Sequence, residues 1–185
     1  MQIQTTSLPG LLILTPTPHR DERGIFTRTF DAALAAEHGI DLGPLCQDSQ
    51  SRSAPGVLRG MHGRLGDGES KLVRVSRGAV LDVVVDARPD SEHFGEHLAV
   101  ELDDHTFRTL WVPAGFLHGF QVLSAEPADV CYRIDRPHHP GEDCAVRFDD
   151  PDLELPWRHP AADLVLGDRD RSAGSWADLV ARLRE

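Results

Sequence analysis

Short runs of alternating apolar and polar residues, cut at brief intervals by Gly, Pro, Asp and Ser, constrain this chain more than any other feature of its sequence. Period-two alternation sends successive side chains to opposite faces of a strand, and many such runs with little helical periodicity predict an all-β sandwich or barrel. The predicted strands are LLIL at 11–14, IFTRTF at 25–30, VLRGMH at 57–62, KLVRVSR at 71–77 and AVLDVVVD at 79–86, followed by HLAVEL at 97–102, FRTLWV at 107–112, GFQVLS at 119–124 and VCYRID at 130–135.

Two short helices flank them. One follows Asp31, whose side chain caps DAALAAEH before Gly39 ends it. The other runs from Ser175 to Arg184, where Ser175 and Asp178 form a capping box and Trp176, Leu179, Val180 and Leu183 share one face, suited to covering the core or a partner subunit. RPHHPGED at 136–143 reads as a loop. With no repeat and no linker, residues 1–185 read as a single domain.

A formal charge of −11 argues against nucleic acid and anionic membrane as partners. The start MQIQTTSLPG lacks the basic and apolar regions of a secretory signal, and no apolar run approaches the roughly 18 residues of a membrane span, so the expected location is cytoplasmic. Cys46, Cys131 and Cys144 have neither disulfide-framework nor zinc-knuckle spacing and read as free structural thiols. Positive charge is nonetheless concentrated at Arg59, Arg64, Lys71, Arg74 and Arg77 and at Arg20, Arg23 and Arg28, a pattern suited to a small anionic ligand such as a phosphate ester.

The chain holds 18 arginines, one lysine and one tyrosine. Where positives are almost always planar guanidinium, a solitary Lys71 marks a place for a compact ammonium; Tyr132, alone in a strand, offers an acidic hydroxyl or a packing aromatic.

The segments around these residues resemble the dTDP-4-dehydrorhamnose 3,5-epimerases. The resemblance is carried by RGIF at 23–26, QDSQSRSAPGVLRGMH at 47–62, KLVRVSRGAVLDVVVDAR at 71–88 and VPAGFLHGFQVLS at 112–124, by Tyr132 in VCYRID, and by DDPDLELPW at 149–157 and GDRD at 167–170. It implies an all-β, cupin-type jelly-roll barrel with short flanking helices that pairs into a homodimer. It also implies that a dTDP-4-keto-6-deoxy sugar lies inside the barrel with no cofactor and no metal.

Such a reaction removes a proton beside a C4 ketone and returns one from the other face, which demands a base, an enolate-stabilising group and an acid opposite. By resemblance His62 is the base, Asp170 rather than the neighbouring Asp168 its carboxylate partner, Lys71 the cation near the enolate oxygen, and Tyr132 the acid. Arg23 and Arg59 match diphosphate-binding arginines. Gln47, Ser49, His118 and Asp143 fall at substrate-contact positions, and Arg169 stands where a lysine is usual. Arg59 and His62 are three apart, so both face one pocket only if a bulge or twist near Gly60 re-aims one of them.

The chain departs from the family pattern at several points. His62-Gly63-Arg64 replaces HYQ or HFQ, Arg28 replaces a glutamate, His138 replaces a tyrosine expected to stack on thymine, Ser49 replaces an asparagine, and the loop from His62 to Lys71 is about one residue short. Epimerisation at C3, at C5 or at both is therefore open. Two other readings stand beside it: a metal-dependent cupin enzyme, resting on Pro113, Gly115 and His118 in PAGFLH, and a sugar-nucleotide-binding barrel without turnover.

Overall fold

The computed structural model describes residues 1–43 and 47–184; Cys46 lies outside them. In chain order the elements are β1 (Gln2–Thr5), β2 (Leu12–Thr15), β3 (His19–Asp21), β4 (Gly24–Phe26), α1 (Ala32–Glu37), β5 (Gln47–Ser53), β6 (Leu58–Arg64), β7 (Lys71–Arg77) and β8 (Ala79–Asp86). There follow β9 (His97–Asp103), β10 (Thr109–Val112), β11 (Phe116–Val122), β12 (Ala128–Ile134), β13 (Asp143–Ala145), α2 (Asp168–Arg171) and α3 (Trp176–Leu183).

Two antiparallel sheets carry the fold, in the orders β1-β2-β10-β7-β12-β5 and β13-β6-β11-β8-β9. The four-strand centres of these sheets, 10-7-12-5 and 6-11-8-9, have the interleaved order of a jelly roll, as the resemblance implies. A core including Val73, Val75, Val80, Val84, Phe116, Phe120 and Val130 joins their inner faces. A second cluster lies behind β6, β8 and β11, where Met61, Val83, Val85 and Leu117 meet Trp176 and Leu179. The apolar face of α3 therefore covers the core, with Ser175 and Asp178 forming the anticipated capping box. Asp31 caps α1 by accepting from the Leu34 amide at 3.3 Å.

The expected strands at 71–77 and 79–86 match β7 and β8 residue for residue. IFTRTF does not form one strand over 25–30: only Ile25 and Phe26 lie in β4, which pairs with β3 as a separate two-stranded hairpin. β11 begins at Phe116, three residues before the expected start, so His118 lies within the strand.

The bulge near Gly60 is present. His118 pairs with His62 and Phe120 with Arg59, so Gly60 and Met61 of β6 together oppose Gly119 of β11. That extra residue turns Arg59 and His62 to the same side. The backbones come so close that a Cβ on Gly60 would lie 2.6 Å from the Gly119 Cα, and one on Gly119 2.9 Å from the Arg59 carbonyl oxygen. Gly60 also has φ +130, a conformation that disfavours side chains.

Gly60→Ala is expected to lower the unfolding free energy by about 1–3 kcal/mol or more, as overpacking and backbone strain combine. Gly24→Ala, at the similar φ of +122 but with nothing within 4 Å of its Cβ, isolates the conformational part and should cost less. Urea denaturation compares the two, and equal losses would contradict the role given to the close approach.

Candidate active site

A cavity of about 610 Å³ opens between the sheets, inside the range of roughly 300–1,000 Å³ typical of small-molecule sites. From β6 and β11 it receives Arg59, His62, His118 and Phe120; from β5, β7 and β12 it receives Gln47, Ser49, Lys71, Tyr132 and Ile134. The registers explain the second group. Tyr132 pairs with Ser49 and Val73, and Ile134 with Gln47 and Lys71, so alternate residues of three adjacent strands point the same way.

His62 and Asp170 meet at 2.6 Å, Nε2 to Oδ1. The carboxylate comes from α2, a single turn that docks on the bulge, where the Gly60 amide also reaches Asp170 Oδ1 at 3.4 Å. Asp168 lines the cavity as well, but Asp170 makes the bond. An ionised carboxylate at Nε2 selects the tautomer that carries its proton there, leaving Nδ1 as the basic nitrogen. Burial is the strongest influence on the Asp170 carboxyl and raises it, yet the bond and charge of His62, with the Gly60 and Gly167 amides, together hold it below the usual carboxylate range.

Tyr132 stands on the facing sheet, partly buried against the core. Burial pushes its phenol well above the ordinary value, the Asp82 carboxylate adds to the rise, and the Arg59 cation opposes it. The hydroxyl therefore keeps its proton at neutral pH. Its ring lies edge-on to His118, with centroids 6.3 Å apart. The His118 Nε2 is 2.8 Å from Asp82 Oδ2, in a pair with side-chain exposures of 6% and 0%.

Arg59 lines the cavity with its Nε donating to Ser53 Oγ at 3.0 Å, and it makes no ion pair among the described residues. Arg169 pairs with Asp143 at 3.3 Å, and His138 sits at the cavity edge with Nδ1 3.0 Å from an Arg64 guanidinium nitrogen. Eleven of the expected site residues thus converge on one cavity. Arg23 and Arg28 do not: Arg23 pairs with Asp21 on the β3–β4 hairpin and Arg28 with Asp31 at the start of α1, both outside it.

Sequence reasoning missed Asp82, Glu69 and the inward placement of Arg64. Asp82 left a signal, a carboxylate inside the apolar run VLDVVVD, where an unpaired charge is costly. Among the described residues no group of three or more His, Cys, Asp or Glu side chains is arranged to hold a metal ion, and His118, on which the metal-cupin reading rests, is bonded to Asp82.

The family described as dTDP-4-dehydrorhamnose 3,5-epimerase matches residues 5–178. The chain belongs to this family. It is 40% identical to the dTDP-4-dehydrorhamnose 3,5-epimerase of Methanothermobacter thermautotrophicus, over 90% of each chain. Among solved structures it is similar to the dTDP-6-deoxy-D-glucose-3,5-epimerase of Legionella pneumophila in complex with dTDP-4-keto-L-rhamnose, at a TM-score of 0.89 and 37% identity, covering 96% of each chain. It is similar too to ChmJ, a 3′-monoepimerase from Streptomyces bikiniensis in complex with dTDP-quinovose, at a TM-score of 0.86 and 31% identity, covering 97% of this chain and 89% of that one. Membership of this epimerase family makes the His62–Asp170 pair and the facing Tyr132 the groups to read chemically.

A carboxyl lowered by folding stabilises the protein above its unfolded value, near 3.9, and that contribution is lost as pH falls through the folded value. Asp170→Asn should therefore cost about 1–3 kcal/mol of stability near neutrality, with the gap to the parent closing in acid. Urea melts across pH check this; a gap independent of pH would contradict the charged pair.

Proposed function

We propose that the chain inverts C3, C5 or both in a dTDP-4-keto-6-deoxyhexose, as a step of deoxysugar biosynthesis. The observation that carries the proposal is the facing arrangement across one cavity: an imidazole paired with a carboxylate on one sheet, and a phenol that retains its proton on the other. His62 Nδ1 takes the proton from the carbon beside the ketone, and the C–H electrons pass into the C4 oxygen. Asp170 holds the imidazole and stabilises the imidazolium that results. The Lys71 ammonium meets the negative charge on the oxygen, a stabilisation that grows as the enolate forms. Tyr132 then gives its proton to the opposite face of the same carbon, and exchange with solvent returns the proton to the phenolate and removes it from the imidazolium.

For the nucleotide, Arg59 is suited to the diphosphate because no carboxylate competes for it among the described residues, and Arg169, paired with Asp143, adds a second guanidinium to the same cavity lining. His138 offers a flat ring at the edge for the base, while Gln47, Ser49, His118 and Asp143 supply polar contacts. Similar structures include both a 3,5-epimerase and a 3′-monoepimerase, so this architecture accommodates inversion at two carbons or at C3 alone.

A homodimer belongs to the same proposal. Arg23 lies outside its own chain's cavity, on a hairpin that leaves Phe26 73% and Ile25 46% exposed. Association of two copies would cover those apolar side chains and bring Arg23 and Arg28 toward a partner's site. We also take residues 1–185 as one epimerase domain that acts in the cytoplasm without nucleic-acid or membrane partners. Among the described residues no helix is long and apolar enough to cross a membrane.

Incubation with dTDP-4-keto-6-deoxyglucose in deuterated water, read by NMR at C3 and C5, tests the base. His62→Ala should slow exchange at every carbon the parent exchanges by about 10²–10⁴-fold while dTDP binding persists. Undiminished exchange would show that another group removes the proton.

A further inference from the structure

The cavity lining carries a row of charges in which the proposed reaction leaves Glu69 and Arg64 without a role. The Lys71 Nζ donates to Glu69 Oε1 at 3.1 Å. The other oxygen of that carboxylate lies 2.9 Å from Arg64 Nε, a charge contact without the alignment of a hydrogen bond. Arg64 Nε is in turn 3.8 Å from Asp143, which pairs with Arg169 at 3.3 Å. Signs alternate along the row, from the Lys71 ammonium to the Arg169 guanidinium.

Burial gives the row its importance. The side chains of Lys71, Glu69 and Arg64 are 9%, 11% and 4% exposed, so each charge has lost most of its water and needs a partner in place. Among the described residues Glu69 is the carboxylate within ion-pair distance of Lys71, and it stands between two cations. Arg64 is held at its far end too, where one guanidinium nitrogen donates to the Pro137 carbonyl at 2.7 Å and another reaches His138 Nδ1 at 3.0 Å. Glu69 is thus fixed from the side away from Lys71.

We infer that Glu69 is a positioning residue for the Lys71 ammonium, with Arg64 as its counter-charge. The inference rests on the proposed role of Lys71 at the enolate oxygen. An ammonium on a flexible four-carbon stem has no preferred direction of its own; the Glu69 carboxylate supplies one. Arg64 draws on the same carboxylate, so Lys71 is tethered without being fully neutralised and keeps charge to offer an oxyanion. Removing the carboxylate has two opposed effects. It frees positive charge for the enolate, and it leaves Lys71 and Arg64 facing each other with no negative charge between them. Displacement decides the sign, since a misplacement of about 1 Å costs on the order of 10²-fold in rate.

The test measures deuterium uptake at saturating dTDP-4-keto-6-deoxyglucose, and dTDP affinity by calorimetry, in Lys71→Met, Glu69→Gln, Arg64→Gln and the Arg64→Gln/Glu69→Gln double variant. Glu69→Gln should slow uptake by about tenfold or more, a fraction of the full misplacement penalty, with dTDP affinity nearly unchanged. The double variant should exchange faster than Glu69→Gln alone, because removing the facing cation lets the carbonyl of the introduced amide accept from Lys71 again; a purely structural pair would give no such recovery. If Glu69→Gln fails to fold, Glu69→Asp keeps the charge but withdraws it by one methylene and should slow uptake in the same way. Parental uptake in the folded Glu69 variants, or a double variant no faster than Glu69→Gln, overturns the inference. Slow Lys71→Met beside a normal Glu69→Gln sinks this inference alone, whereas parental uptake in Lys71→Met overturns it together with the role given to Lys71.

Discussion

The close approach of β6 and β11 at Gly60 and Gly119 is the constraint on which the rest of the site depends. Two residues of one strand opposite one of the other place Arg59 and His62 on the same side, although their separation in a regular strand would divide them. The same place receives α2, because the Gly60 amide and the His62 ring both point at one carboxylate oxygen. A side chain at either glycine would push the strands apart, and with them the imidazole from Asp170. Backbone packing, more than side-chain choice, thus sets Arg59 and His62 in one cavity.

Across that cavity the electrostatics differ by sheet. On the β6 side a carboxylate held in its charged form makes one imidazole nitrogen a donor and leaves the other basic. On the β12 side burial and the Asp82 charge keep the phenol protonated. An imidazole oriented by a carboxylate on one sheet and a protonated phenol on the other are what a proton removed from one face and returned to the other requires.

The parts of the fold that were legible in the sequence are those whose two faces differ. β7 and β8 alternate or run apolar, and their bounds follow directly. β5 escaped because QDSQSRS is polar on both sides: Gln47 and Ser49 face the cavity, and Asp48, Gln50 and Arg52 alternate with them, so no hydrophobic period exists to detect. IFTRTF shows the reverse error, since its apolar spacing fits a strand while the chain uses only its start in an exposed hairpin. Lys71, Tyr132, His62 and Asp170, which line one cavity, were singled out through family resemblance and residue rarity, but the four-residue α2 that delivers Asp170 is too short to leave a helical period. Glu69 was missed because a carboxylate two residues from a lysine looks like ordinary surface charge until the strand start buries both.

The central claim is that protons leave and return on opposite sides of the cavity, and Tyr132→Phe tests it most directly. With His62, Asp170 and Lys71 intact the enolate should still form, and reprotonation should come from the side where His62 waits. The variant incubated with dTDP-4-keto-6-deoxyglucose in deuterated water should therefore take up deuterium while returning the starting configuration, with epimer formation reduced by about 10²-fold or more. Epimerisation close to the parental rate, or loss of uptake in a folded variant that still binds dTDP, would contradict the account.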